Sequence, residues 1–352
     1  MTGKFIMRTL VALTFGVVTF LSPAASGLGQ ESAKPLNVCV TVPELGSLVR
    51  EIGGHQVAVT VFAKGTENPH FVEAKPSLIK DLSQADLFIQ IGLELEVGWV
   101  PVLLQNAANG KVLPGAKGYL DASSVISPME IPSGTIDRSM GDVHPYGNPH
   151  FLTDPLNGLK VAALIRDKLG ELRPSEQKHF QERYQAFRQK LGVLMVGDKL
   201  ARKYDCEKMA LLYEHGKLLD FLKTQHDEGL LGGWLGQMLP YFGAKAVADH
   251  NIWPYFGHRF GIVEVGFMEP KPGVPPTTKH LTELIKQMQE QKVNLILASP
   301  FFDPRHARFL ASKTGAKVVE MAHQVGARPG TGDYLGMIDY NVRQLAASLK
   351  RR

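Results

Sequence analysis

After Pro174, the apolar residues Phe180, Tyr184, Phe187, Leu191 and Leu194 recur at spacings of 4, 3, 4 and 3. That rhythm draws one continuous stripe down a helix, and it is the longest periodic segment in the 352-residue chain. Residues 174–200 are therefore predicted to form one long rigid helix. About 25 residues at about 1.5 Å each would span roughly 38 Å, enough to cross from one lobe of a protein to another. On both sides of it, short apolar runs alternate with amphipathic stretches, the signature of α/β architecture. The predicted fold is α/β: two lobes, each a small, mostly parallel sheet flanked by helices, joined by this helix.

In the first half, strands are expected at 38–42, 57–62 and 87–91, with short edge strands at Val112-Leu113 and 119–121. Helices are expected at 45–52, 77–85, 94–105 and from Pro155 to about Gly170. Residues 126–148, rich in Pro, Gly and Ser, read as loop. The second half is expected to hold strands at 209–213, 244–248, 261–266, 293–298 and 317–319. Its helices are expected near 218–225 and at 281–290, 304–314 and 334–349, and the Gly-rich stretch 229–236 reads as a loop and a helix.

Lys4 and Arg8 are the only charges before Glu31, and Leu10 to Leu21 is an uncharged, mostly apolar run followed by Ala24-Ala25-Ser26-Gly27. This is the pattern of a cleaved secretory signal peptide, and the run is shorter than the ~20 residues of a spanning helix. No Cys follows it to carry a lipid. The expected boundaries are 1–29 signal peptide, 30–173 N-terminal lobe, 174–200 linking helix and 201–352 C-terminal lobe, with the mature chain free in a periplasm. The two cysteines, Cys39 and Cys206, make no disulfide framework. The net charge of +5 falls to +3 without Lys4 and Arg8. Without a basic cluster interleaved with aromatics, nucleic-acid binding has no support.

Three histidines stand where strands or turns end. His70 and His150 each close an Asn-Pro-His triplet, Asn68-Pro69-His70 and Asn148-Pro149-His150, and His250 follows the strand ending near Val247. Ligands of open α/β sheets gather beyond the carboxyl ends of strands. Proline restricts itself and the residue before it, so each imidazole leaves a stiff turn. Neutral imidazole is a good Zn(II) ligand. Separations of 80 and 100 residues are not a local zinc signature, however, and residue by residue a hydrogen-bonded loop histidine fits as well.

The segments His70-Phe71-Val72-Glu73-Ala74-Lys75-Pro76-Ser77, Asn148-Pro149-His150-Phe151-Leu152-Thr153-Asp154-Pro155, His250-Asn251-Ile252-Trp253-Pro254 and Asp333-Tyr334-Leu335-Gly336-Met337 occur in order along the chain. Together they resemble the periplasmic receptor proteins of zinc and manganese ABC importers. The resemblance implies two lobes with a metal between them, His70, His150 and His250 as imidazole ligands, and a carboxylate as the fourth. Glu320, after the last strand, falls at that place, with Asp333 in reserve. Three imidazoles and one carboxylate favour Zn(II) over Mn(II). The implied role is capture of Zn(II) as transported ligand and its delivery, by a monomer, to the membrane permease of an ABC importer.

His144, alone in a loop that is His-rich in many such receptors, reads as an ordinary loop imidazole rather than a capture residue. Asp154 reads as a helix cap. Two other readings stay open: a secreted zinc hydrolase with water on three histidines, and a two-lobed receptor for Mn(II), a metal-chelate or an organic solute. With no HExxH pair and no placed general base, enzymatic activity is not expected.

Overall fold

The computed structural model describes residues 1–4, 34–134 and 143–350. The signal-peptide expectation for 1–29 lies outside the described residues from position 5 onward. All elements below belong to the compact unit Pro35–Arg352.

The first lobe alternates β1 (Leu36–Val40), α1 (Pro43–Gly53), β2 (Val57–Val61), α2 (Pro76–Ser83), β3 (Leu87–Gln90), α3 (Val100–Ala107) and β4 (Tyr119–Asp121). Its sheet is wholly parallel in the order β2-β1-β3-β4, with Val38 opposite both Val59 and Leu87. The strands are apolar because helices cover both faces. Val40, Leu87 and Ile89 are fully enclosed on one side, Cys39 and Phe88 on the other.

Two helices follow, α4 (Pro155–Leu172) and α5 (Gln177–Val196). Asp154 caps α4 by accepting the Leu156 N–H at 2.9 Å, with Pro155 at the first helical position. The segment predicted as one helix over 174–200 breaks at Gly197, where φ is 88°. A Cβ there would stand 3.2 Å from the Gly232 Cα. The helix has 20 residues, about 30 Å at 1.5 Å per residue. Phe180, Phe187 and Leu191 of the predicted stripe are buried, and Tyr184 and Leu194 partly so. α5 packs on α1 and α4, and it also meets α6 (Asp198–Lys203), α7 (Cys206–Glu214) and α9 (Gly233–Met238), which follows α8 (Leu218–Thr224).

The second sheet repeats the first. β5 (Ala244–Ala248), α10 (Pro254–Phe260), β6 (Ile262–Phe267), α11 (Thr278–Glu290), β7 (Leu295–Ala298), α12 (Pro304–Thr314), β8 (Lys317–Glu320) and α13 (Tyr334–Leu349) give a parallel sheet in the order β6-β5-β7-β8. In both sheets the first strand sits inside, with its successors on either side, the arrangement that opens a crevice at the carboxyl ends.

Three local expectations are corrected. Residues 209–213 are helical, within α7: Asp205 caps it by accepting the Glu207 and Lys208 N–H groups, and Met209, Ala210 and Tyr213 are buried on one face. A short apolar run does not by itself separate strand from helix. Val112 lies in a 3-10 turn capped by Asn109 rather than a strand. The helix expected from Glu94 begins only at Val100, because Leu93 and Glu94 adopt φ of 51° and 64°. The aromatic run at 254–260, for which no element was expected, forms α10, with Pro254 at its first turn. Cys39 and Cys206 are both buried and unpaired.

Candidate metal centre

Each of the three histidines is mounted by a side chain beside it. In both Asn-Pro-His turns the asparagine oxygen accepts the histidine's backbone N–H: Asn68 Oδ1 from His70 at 3.1 Å, Asn148 Oδ1 from His150 at 2.9 Å. These are Asx turns, which Asn forms by mimicking a backbone carbonyl. Trp99 Nε1 donates to the Pro69 carbonyl at 3.1 Å, and Asn148 Nδ2 donates across the lobes to the Asn251 carbonyl at 2.9 Å. His250 stands two residues beyond β5, where Asp249 Oδ1 accepts its backbone N–H at 2.9 Å.

The rings converge. Ring centroids lie 5.2 Å apart for His70 and His150, 5.5 Å for His70 and His250, and 5.7 Å for His150 and His250. One ligand nitrogen from each lies within 4.8 Å of the others. His70 Nδ1 is 2.8 Å from Asn68 Oδ1, and His250 Nδ1 is 2.6 Å from Glu269 Oε2. Such partners hold the proton on Nδ1 and leave the Nε2 lone pair for a metal. His150 is half-buried as a residue, but its Nε2 is enclosed and has no hydrogen-bond partner among the described residues. Buried polar atoms are almost always satisfied, so an ion between the rings would answer an unmet need. Burial, and then the neighbouring imidazoles, hold the pKa of both His70 and His150 well below the usual histidine value. Both are therefore neutral, ligand-ready imidazoles at neutral pH.

The two carboxylates expected as fourth ligand lie elsewhere. Glu320, at the end of β8, is exposed, and its carboxylate faces Arg328 at 3.5 Å. Strand alternation explains this: Val319 points into the core, so its neighbour points out. Asp333 caps α13, accepting the Gly336 N–H at 2.8 Å. His144 is where the structure departs from the expectation for that loop. Its Nε2 lies 3.0 Å from His70 Nε2, and burial pushes its pKa down to about 4. The loop's sequence signals only that a histidine is present, and no local pattern reports what it meets.

The imidazoles border a cleft of about 300 Å³ whose lining includes Glu130, His144, His150, His250 and Asn251. A larger cleft of about 660 Å³ lies over α3 and contains none of these histidines. Donor chemistry rather than volume marks the site. Asp154, four residues after His150, also forms a bidentate pair with Arg259 of α10, both arms at 2.8 Å.

The family model for ZnuA, the periplasmic zinc-uptake complex component A, matches residues 38–200 and 236–348. The metal ABC transporter substrate-binding lipoprotein SloC of Streptococcus mutans is 21% identical over 98% of this chain and 100% of its own length. The manganese ABC transporter substrate-binding lipoprotein PsaA of Streptococcus anginosus is also 21% identical, over 98% and 99%. Among solved structures, a crystal structure of ZnuA superposes with a TM-score of 0.65 at 20% identity, covering 89% of this chain and 99% of that one. The laminin-binding protein Lmb of Streptococcus agalactiae, described as an adhesin with metal-transporting activity, gives 0.64 at 20% identity, covering 89% and 99%. With two parallel lobes, three converging imidazoles and a family match along most of its length, this chain belongs to the ZnuA family of metal-binding receptors for ABC importers.

Proposed function

We propose that this protein captures Zn(II) between its lobes through His70, His150 and His250 and delivers it, in the periplasm, to the permease of an ABC importer. One observation carries the reading: imidazoles from three separate segments and both lobes bring their ligand nitrogens within 4.8 Å of one another. Imidazole donors suit Zn(II), whereas Mn(II) takes more oxygen ligands. Relatives are named for either manganese or an unspecified metal, and a zinc-bound ZnuA deletion mutant is among the similar structures. In this reading residues 1–29 are removed on secretion, 30–173 and 201–352 are the lobes, 174–200 links them, and the mature chain acts as a monomer.

The test is a competitive Zn(II)/Mn(II) titration of the mature protein, wild type beside His150→Ala. One tight zinc per chain, outcompeting manganese and lost with the substitution, is the expected result. Tighter manganese would overturn the choice of metal, and binding indifferent to His150 would overturn the site.

A further inference from the structure

His144 and His70 bring their Nε2 atoms to 3.0 Å, with ring centroids 5.1 Å apart and planes tilted by 32°. Four nitrogens set about 2.0–2.1 Å from a tetrahedral zinc stand about 3.3 Å from one another. The two rings are thus already separated by nearly one edge of a coordination tetrahedron.

Proton placement makes this contact informative. Asn68 Oδ1 accepts the His70 backbone N–H, so it is the oxygen, and it also faces His70 Nδ1. That nitrogen carries the ring proton, which leaves His70 Nε2 with a lone pair. Facing that lone pair, His144 Nε2 must present either an N–H or a second lone pair. Two lone pairs at this distance repel unless a cation sits between them. The His144 ring also hydrogen-bonds the backbone of Leu93. A proton engaged there frees Nε2 for a metal, so the surroundings accommodate the ring with and without an ion.

The Leu93 backbone is itself held in an unusual shape. Gly92, Leu93 and Glu94 run consecutively through the left-handed region, at φ of 88°, 51° and 64°. Non-glycine residues seldom adopt it, and such strain persists where surrounding structure holds it, commonly at functional sites. Here the strained turn presents the Leu93 backbone to His144. Another histidine near the site, His323, lines a small cavity together with His150; its Nε2 lies 3.2 Å from the Glu67 carbonyl oxygen, and its Nδ1 is buried without a hydrogen-bond partner among the described residues.

We propose that His144 is the fourth metal ligand, supplied by the loop at the cleft and completing an all-imidazole set. This rests on the reading of His70, His150 and His250 as the metal-binding trio. His144 touches that trio through His70 and lines the same cleft as His150 and His250. An all-nitrogen set strengthens the preference for Zn(II) over Mn(II).

The experiment is X-ray absorption spectroscopy of the zinc-loaded protein with competitive zinc titration, on wild type, His144→Ala and His150→Ala. Thermal melts of the metal-free variants check that each is folded. The expected shell is four imidazoles in wild type and three plus a light oxygen in His144→Ala. The latter should bind zinc about 100-fold more weakly, at the upper end of what losing a mere orienting partner costs. Tight zinc that depends on His150, with affinity and shell unchanged in His144→Ala, would overturn the fourth ligand and leave the receptor reading standing. No tight zinc in wild type would overturn both.

Discussion

Asp154 and Arg259 hold each other across the two lobes by two parallel hydrogen bonds of 2.8 Å, both side chains buried. The pair stands four residues after His150 and nine after His250, and Arg259 also reaches Glu214. Tyr255 reinforces the same seam, accepting the Met129 N–H and donating to the Asn148 carbonyl, each at 2.9 Å. The segments that carry two of the imidazoles are thereby fixed relative to one another by contacts that do not involve the ion.

Arg259→Ala should strand the buried Asp154 carboxylate and remove a partner of the partly buried Glu214. Removing one partner of a buried ion pair typically costs about 3–5 kcal/mol. Urea unfolding of the metal-free protein should show a loss of that order. An unchanged midpoint would mean the seam carries no stability.

Glu269→Gln should weaken zinc binding by about 10–100-fold while leaving the fold intact, because a carboxylate that orients a ligating imidazole is worth about that much. Glu269 Oε2 accepts from the His250 ring and from the Gly273 N–H at 3.0 Å, so one side chain ties the ligand to its own loop. A zinc titration that matches wild type would exclude this orienting role.

His323 should make the metal-free protein sensitive to acid. Burial, above all, depresses its pKa to about 3, against about 6.5 in an unfolded chain. Below pH 6.5 the unfolded chain takes up a proton that the folded protein refuses, so stability falls as pH drops through the window from 6.5 towards 3. At pH 5 the difference is about 2 kcal/mol. Chemical unfolding at pH 7.5 and 5.0 should show the loss in wild type and a smaller one in His323→Gln; equal losses would rule out this source.

Phe187→Ala should cost about 3–5 kcal/mol, the usual range for deleting a buried aromatic. Phe187 is enclosed on α5 and belongs to the core cluster that runs through both lobes. Calorimetry should find one cooperative transition at lower temperature. Two separated transitions would show instead that the lobes unfold independently.

The α/β order and most elements were legible because strands buried on both faces read as apolar runs, and the helices between them carry caps and stops such as Asp154-Pro155 and Gly315. The run at 209–213 misled because an apolar stretch on a half-buried helix matches a strand in local pattern. At the centre, the Asn-Pro-His triplets were visible as stiff turns, but the asparagine's part as hydrogen-bond acceptor was not. Glu269 and His144 were missed as neighbours of the imidazoles, since their roles come from contacts spanning 19 and 74 residues. Glu320 was chosen by position after a strand, and the strand's own alternation turns it outward.

His70 and His150 are held neutral by their enclosure before any ion arrives. Ligands that must first lose protons expel them as the metal enters, but these two have none to give. At these positions a divalent ion adds its charge without displacing protons, so neither ring makes the heat of loading depend on the ionisation enthalpy of the buffer. Loaded and empty receptors would then differ in electrophoretic mobility, and a partner surface could tell them apart by charge even where their shapes are the same.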